Sequence, residues 1–299
     1  MENFKSIKKN VVLSVGLSSL LIILMFSNVA IAAEKKFDYF STLQKRLVKD
    51  GFIKKGINAL YKKPQVSFDT KGVSLYFVHT ESKLNYNQFL DQKNIKKARA
   101  YMKKYKKELA FAQKTYGVDK EVITGIALVE TRLGTYVGKR MVINILSSMS
   151  ALSEKKVREK LWADIKDRTE LTKKKFEAKA AKKAGWAYKE LKAFLNYTTK
   201  EKINPLNING SYAGAMGICQ FMPSNILPLA KDGNGDGKIN LFDHADAVAS
   251  IANYLKRYGW KPGLTQKQAF KAVYSYNHSK YYVNTVLKIA KALKAKPKS

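Results

Sequence analysis

The stretch VDKEVITGIALVETRLG, residues 118–134, decides the fold. Val118, Val122, Ile126 and Glu130 recur every four residues, flanked by Ile123, Val129 and Leu133, so the segment reads as a helix with an apolar side. Asp119 and Glu121 fall in its first turn, where acids suit the helix dipole, and Gly134 stands where the helix should stop. Glu130 breaks the pattern, placing a carboxyl on the apolar side close to the C-terminal end. Burial among aliphatic groups disfavours the charged form, and the helix's negative end acts in the same direction. A glutamic acid kept protonated near neutral pH can give a proton to a leaving oxygen. The alternative is a structural glutamate paired with Arg132 or Lys139, and this segment alone leaves both open.

Outward from that helix the chain reads as mainly α. Phe40, Leu43, Leu47, Phe52, Ile57 and Leu60 are spaced by three to five, predicting helix over 38–61. Ile95, Ala98, Met102, Tyr105, Leu109, Ala112 and Tyr116 predict one long helix closed by Gly117. Residues 154–192 carry 14 Lys/Arg and 7 Asp/Glu around Leu161, Trp162, Phe176 and Trp186, as one or two amphipathic helices with a basic solvated face would. Only 64–80 reads as strand, with Pro64 ahead of VSFDTKGVSLYFV and a turn at Lys71-Gly72. The predicted class is mainly α (α+β) with this small β element.

The 299 residues are enough for a sizeable core, and 56 Lys+Arg against 23 Asp+Glu give a formal charge of +33. That excess calls for an anionic partner. The single cysteine, Cys219, excludes an internal disulfide and a multi-cysteine zinc site, and three histidines argue against a polyhistidine metal centre. Lys5, Lys8 and Lys9 precede the apolar run 11–26, and Ala30-Ile31-Ala32 follows, the pattern of a secretory signal peptide over 1–32. A retained membrane anchor is the alternative. No cysteine stands near the cleavage site for a lipid anchor. Export turns the charge away from nucleic acid and toward an acidic cell-envelope polymer.

Residues 232–243, DGNGDGKINLFD, follow a twelve-residue EF-hand loop. Asp232, Asn234 and Asp236 fill positions one, three and five; Gly237 supplies the turn, Lys238 a backbone carbonyl, and Asn240 position nine. Asp243 stands at position twelve, one methylene shorter than the usual glutamate, and Asp246 is the other candidate for that role. Oxygen-only ligands select calcium over zinc or copper. The alternative is a plain Asx-Gly turn. No organic cofactor is expected.

Three segments carry a family resemblance: VETRLG at 129–134, GSYAGAMGICQFMPSN at 210–225 and YSYNHSKYYVNTVL at 274–287. In order and spacing the chain resembles the lytic murein transglycosylase B family, strongly over 116–150 and 204–290 and more weakly over 37–115. The resemblance implies a lysozyme-like catalytic domain over 33–290, with 291–299 a basic tail. It implies cleavage of the bond between N-acetylmuramic acid and N-acetylglucosamine in peptidoglycan, with Glu130 as the single general acid and base. It also implies that Ser211 and Gln220 line the cleft, Ser211 near the carboxyl; a satisfied core amide is the alternative for Gln220. Tyr276 and Asn277 match a pair that closes the cleft from the opposite side; a tyrosine hydroxyl there would hold Glu130, and a core tyrosine is the alternative. The family's metal loop adds weight to structural calcium, and its distribution to the periplasm of a Gram-negative bacterium, with a monomer expected. Tyr212, Phe221 and Met222 read as core or as walls on which sugars stack, with core the reading of the residues alone, and Cys219 as a buried apolar residue. The chain departs from the family at Leu133, commonly aromatic, and at Lys280, often an acid. A muramidase hydrolysing the same bond and an inactive peptidoglycan-binding protein are the rival readings.

Overall fold

Helices α1 (Ser41–Lys49) and α2 (Lys54–Tyr61) occupy the first predicted helical stretch, parted where Gly51 turns the chain at φ 96°. The computed structural model describes residues 37–78 and 85–295; the signal segment 1–32 and the last four residues of the tail lie outside the described residues. The described residues from 38 onward belong to one compact unit.

The stretch predicted as strand is irregular over 64–69 and helical from Thr70, with 79 and 80 outside the described residues. Residues Thr70–Val78 form α3, with the Asp69 carboxylate accepting the Gly72 N–H at 2.8 Å near its start. Val73 and Phe77, four apart, are the buried large residues, so the apolar period is helical and the expected turn at Lys71-Gly72 is the first turn of α3. Gly72 lets α3 lie against the interior: a Cβ there would stand 2.3 Å from Ile145 Cδ1. Close packing against a neighbour overrides the local strand signal.

The predicted long helix is two, α4 (Gln92–Lys104) and α5 (Lys106–Tyr116). The break is at Tyr105, whose ring stacks on His244 with centroids 4.1 Å apart. Gly117 ends α5 in the left-handed region at φ 70°. Next come α6 (Lys120–Thr131) and α7 (Val142–Ala151). All ten residues of α7 are buried, and α6 is buried on most sides, so these two short helices form the centre of the core. The charged stretch becomes α8 (Lys155–Ile165) and α9 (Lys173–Lys200), the latter opened by a Thr172 cap and packed along α7.

The segment carrying GSYAGAMGICQFMPSN runs into α10 (Pro223–Leu229), started by a proline. Glu190 of α9 is buried and accepts both the N–H and the hydroxyl of Ser224, which ties this segment to α9. Then follow α11 (His244–Arg257), α12 (Gln266–Tyr276), opened by a Thr265/Gln268 capping box, and α13 (Lys280–Lys294). The last of these packs along α6 and reaches four residues into the stretch expected to be tail. Among the described residues the only sheet pairs β1 (Arg140–Met141) with β2 (Asn209–Gly210), antiparallel, Arg140 opposite Gly210. Gly138, at φ 102°, is fixed by this pairing, because a Cβ there would lie 2.0 Å from the Gly210 carbonyl oxygen. Among the described residues no helix is long and apolar enough to cross a membrane.

Candidate active site

A cleft of about 750 Å³ opens where the last turn of α6, the β1–β2 pair, the start of α13 and the segment 85–89 meet. Glu130 stands in its wall. Among the described residues lining the cleft it is the only carboxylate, and Lys139 and Arg140 are the cations. The residue is half-buried, with its carboxyl enclosed by protein, and Oε1 accepts the Tyr282 hydroxyl at 2.6 Å. Burial pushes the carboxyl up to about 7, and the Tyr282 bond pulls the other way. Neither Arg132 nor Lys139 forms an ion pair with it: the Arg132 guanidinium bonds Gln88 instead. The structural-pair reading of Glu130 therefore falls.

The sequence places a tyrosine hydroxyl at Glu130 but assigns it to Tyr276. In the structure that hydroxyl donates to the Cys219 carbonyl oxygen at 2.5 Å, and Tyr276 does not line the cleft. The residue at Glu130 is Tyr282, six positions on. It lies on the buried stripe of α13 with Val283, Val286 and Ile289, and that spacing is the signal that could have found it. Because the phenol favours the ionised carboxyl, Tyr282→Phe is expected to raise the Glu130 midpoint by about one pH unit. A ¹³C-NMR titration of the glutamate carboxyls checks this; an unchanged or lowered midpoint contradicts it.

Ser211, Gln220 and Asn277 all line the cleft. Ser211 Oγ accepts the N–H groups of Ala213 and Ala215, at 3.2 and 3.1 Å, rather than bonding Glu130. Its own proton can still serve a ligand. Gln220 donates its amide hydrogens to the carbonyls of Val137 and Gly217, leaving its side-chain carbonyl as acceptor. Asn277 ends α12 in extended backbone. Phe221 is core as expected, whereas Tyr212 is 36% exposed and lines the cleft, in edge contact with Tyr76. The Cys219 thiol is buried and pushed up to about 12, the state of an inert apolar residue rather than a nucleophile.

Two turns next to cleft residues are strained. Arg132 and Leu133 follow Glu130 and Thr131 with φ of 51° and 64°, and Gln220 has φ 48°. Left-handed backbone at such residues costs about 1–3 kcal/mol each.

In the 232–243 loop, Asp232 accepts the N–H groups of Gly235 and Gly237, Asn234 that of Asp236, and Asp236 that of Lys238. Asn240 Oδ1 accepts the Phe242 N–H. Asp243 caps α11, its Oδ1 taking the N–H groups of Ala245 and Asp246. Asp246 is 1% exposed and its two carboxylate oxygens accept from Gly233 and Asn240, strapping the ends of the loop together. Among the described residues no three His, Cys, Asp or Glu side chains converge as a metal-binding group. The donors are nonetheless all oxygen, and Gly235 and Gly237, both at φ 79°, provide the sharp turns of a hard-cation loop. Asp232, Asn234 and Asp236 suit such an ion, and Asp243 and Asp246 are the two closing candidates.

The chain is similar to known proteins in both sequence and fold. Over 176 residues, 59% of the chain, it is 35% identical to the membrane-bound lytic murein transglycosylase B of Escherichia coli K12, and it spans 41% of that protein's length. The E. coli lytic transglycosylase Slt35 in complex with calcium superposes with a TM-score of 0.66 at 24% identity, covering 86% of this chain and 93% of that one. SltB3 of Pseudomonas aeruginosa in complex with NAG-anhNAM-pentapeptide gives 0.67 at 19% identity, covering 85% and 78%. The model of the transglycosylase SLT domain matches residues 36–268, more than three quarters of the chain. A half-buried, protonatable glutamate in a helical cleft thus sits within a domain matched along most of its length, and the chain belongs to the transglycosylase SLT-domain family.

Proposed function

We propose that the protein is an exported lytic transglycosylase that cuts the β-1,4 bond between N-acetylmuramic acid and N-acetylglucosamine in peptidoglycan without consuming water. The observation that carries this reading is that, among the described residues, Glu130 is the only carboxylate lining the cleft. Glycosidases of the usual kind need two, one as acid and one as base or nucleophile. One carboxyl suffices if the substrate supplies its own nucleophile. Glu130, protonated near neutral pH, gives its proton to the glycosidic oxygen as the bond from C1 to that oxygen breaks. The resulting carboxylate takes the proton of the muramic 6-hydroxyl while O6 bonds to C1, closing a 1,6-anhydro ring. Glu130 ends protonated, ready for the next turn. Ser211, Gln220 and Asn277 hold the sugars, and Tyr282 holds the carboxyl.

Calcium bound at the 232–243 loop would be held by Asp232, Asn234, Asp236, the Lys238 carbonyl and Asp246, with Asn240 beside them, and would stabilise the loop. None of these residues lines the cleft. The signal-like segment and the acidic substrate support a periplasmic address. The excess positive charge supports attachment to wall polymers bearing carboxylates, weakened by salt.

Digestion of purified sacculi followed by mass spectrometry of the released fragments tests the reading. Muropeptides ending in 1,6-anhydromuramic acid are expected. Reducing ends carrying one added water would replace the reading with a muramidase, and binding without release would replace it with a wall-binding protein.

A further inference from the structure

We propose that Thr131 is a positioning residue for Glu130: its hydroxyl joins the left-handed turn after α6 to the facing turn Gly217–Gln220, and so fixes where the carboxyl stands in the cleft. The inference deepens the function proposed above and rests on it for its kinetic readout. Thr131 is 1% exposed and follows Glu130 directly. Its Oγ1 accepts the Gly134 N–H at 3.0 Å and donates to the Ile218 carbonyl at 3.0 Å, with the Ala127 carbonyl at 3.3 Å as a second acceptor. Among the described residues this is the only side-chain hydrogen bond between α6 and the 217–220 turn.

Both turns need such a tie. Arg132, Leu133 and Gly134 take φ of 51°, 64° and 86°, three left-handed residues in succession of which only the last is glycine. Backbone bonds from Arg132 to Leu128 and from Leu133 to Ala127 close the helix end, as in a Schellman motif, but do not reach across to the other turn. That second turn holds Gln220, also left-handed, and is supported from behind. The Ile218 N–H donates to Leu241 at 2.8 Å, and the Tyr276 hydroxyl donates to Cys219. Glu130 therefore lies between two supports: Tyr282 from α13 on its carboxyl, and through Thr131 the turn that presents Gln220 to the sugar. Without the hydroxyl, the Gly134 N–H and the Ile218 carbonyl lose their common partner and the two strained turns are free to separate. Groups facing the Glu130 carboxyl are Tyr282, Tyr276 and Cys219, all held neutral by burial, so its titration reports its own surroundings.

Two substitutions separate positioning from packing: Thr131→Val keeps the shape without the hydroxyl, and Thr131→Ser keeps the hydroxyl without the methyl. On sacculi, Thr131→Val is expected to lower kcat between about 10- and 100-fold with binding within about twofold, the scale of a small misplacement of a reacting group. As water reaches the carboxyl, its ¹³C-NMR midpoint should move down by about one pH unit, and the alkaline limb of the activity profile with it. Thr131→Ser is expected to stay within about threefold of wild type with its midpoint in place. Equal losses in both variants, or a loss in Thr131→Val that follows only the folded fraction with an unmoved midpoint, would overturn the proposal. If Thr131→Val does not fold, Thr131→Cys, a weaker donor of similar size, is read on the same two axes against the same outcomes. The titration needs no substrate. Wild type that releases no anhydro fragments would therefore overturn the function while the positioning claim is still judged on its midpoint.

Discussion

Glu130→Gln is expected to lower the release of anhydromuropeptides from sacculi by about a thousandfold or more. The glutamine can neither give a proton to the leaving oxygen nor take one from the 6-hydroxyl, and a general acid or base contributes about 10²–10⁴-fold in each role. The same substitution should not harm the fold. In the folded protein the carboxyl titrates at about 7, above its ordinary 4.5, so the native state binds this proton more tightly than the unfolded chain does. Stability is then full below the unfolded value and falls as pH rises from about 4.5 to about 7, by at most on the order of 3 kcal/mol. Glu130→Gln removes that loss. Above pH 7 its melting temperature should equal or exceed that of wild type while activity is gone. An inactive variant that is also less stable at pH 8 would mean that Glu130 supports the fold instead.

Asp246→Ala is expected to give the largest loss of stability. The buried carboxylate accepts two backbone N–H groups, from Gly233 and Asn240, and removing it leaves both donors without a partner inside the protein. Each such donor costs about 1–3 kcal/mol, so a total on the order of 3 kcal/mol and a fall in Tm of about 6–10 °C are expected. Asp243→Ala removes a helix cap and should cost about 1 kcal/mol. Thermal melts with and without calcium separate the two as ligands: calcium should raise the Tm of wild type and of Asp243→Ala but not of Asp246→Ala. A calcium effect lost in Asp243→Ala and kept in Asp246→Ala would reverse the assignment.

The parts of this fold that can be read from its residues are those fixed by local spacing. The interval of four from Val118 to Glu130 predicts α6, and Gly117 predicts the end of α5, because a left-handed terminus favours glycine. Where a distant neighbour decides, local reading goes astray. The run VSLYFV looks like strand until Ile145 is known to lie against Gly72, and Tyr105 looks mid-helical until His244 is known to stack on it. The site shows the same division. Glu130 stands out as a carboxyl among aliphatic positions. That Tyr282 rather than Tyr276 reaches it depends on how α13 crosses α6, and the tie from Thr131 to Ile218 joins residues 87 apart in sequence. The strain at Arg132, Leu133 and Gln220 is likewise invisible in residue types that ordinarily avoid left-handed backbone.

The central claim, that one carboxyl moves protons while the substrate attacks itself, is tested most directly by digesting sacculi in water enriched in ¹⁸O and weighing the new muramic ends. Anhydro ends with no ¹⁸O at C1 are expected from wild type and not from Glu130→Gln. Reducing muramic ends carrying one ¹⁸O at C1 would contradict it, because water would then be the nucleophile.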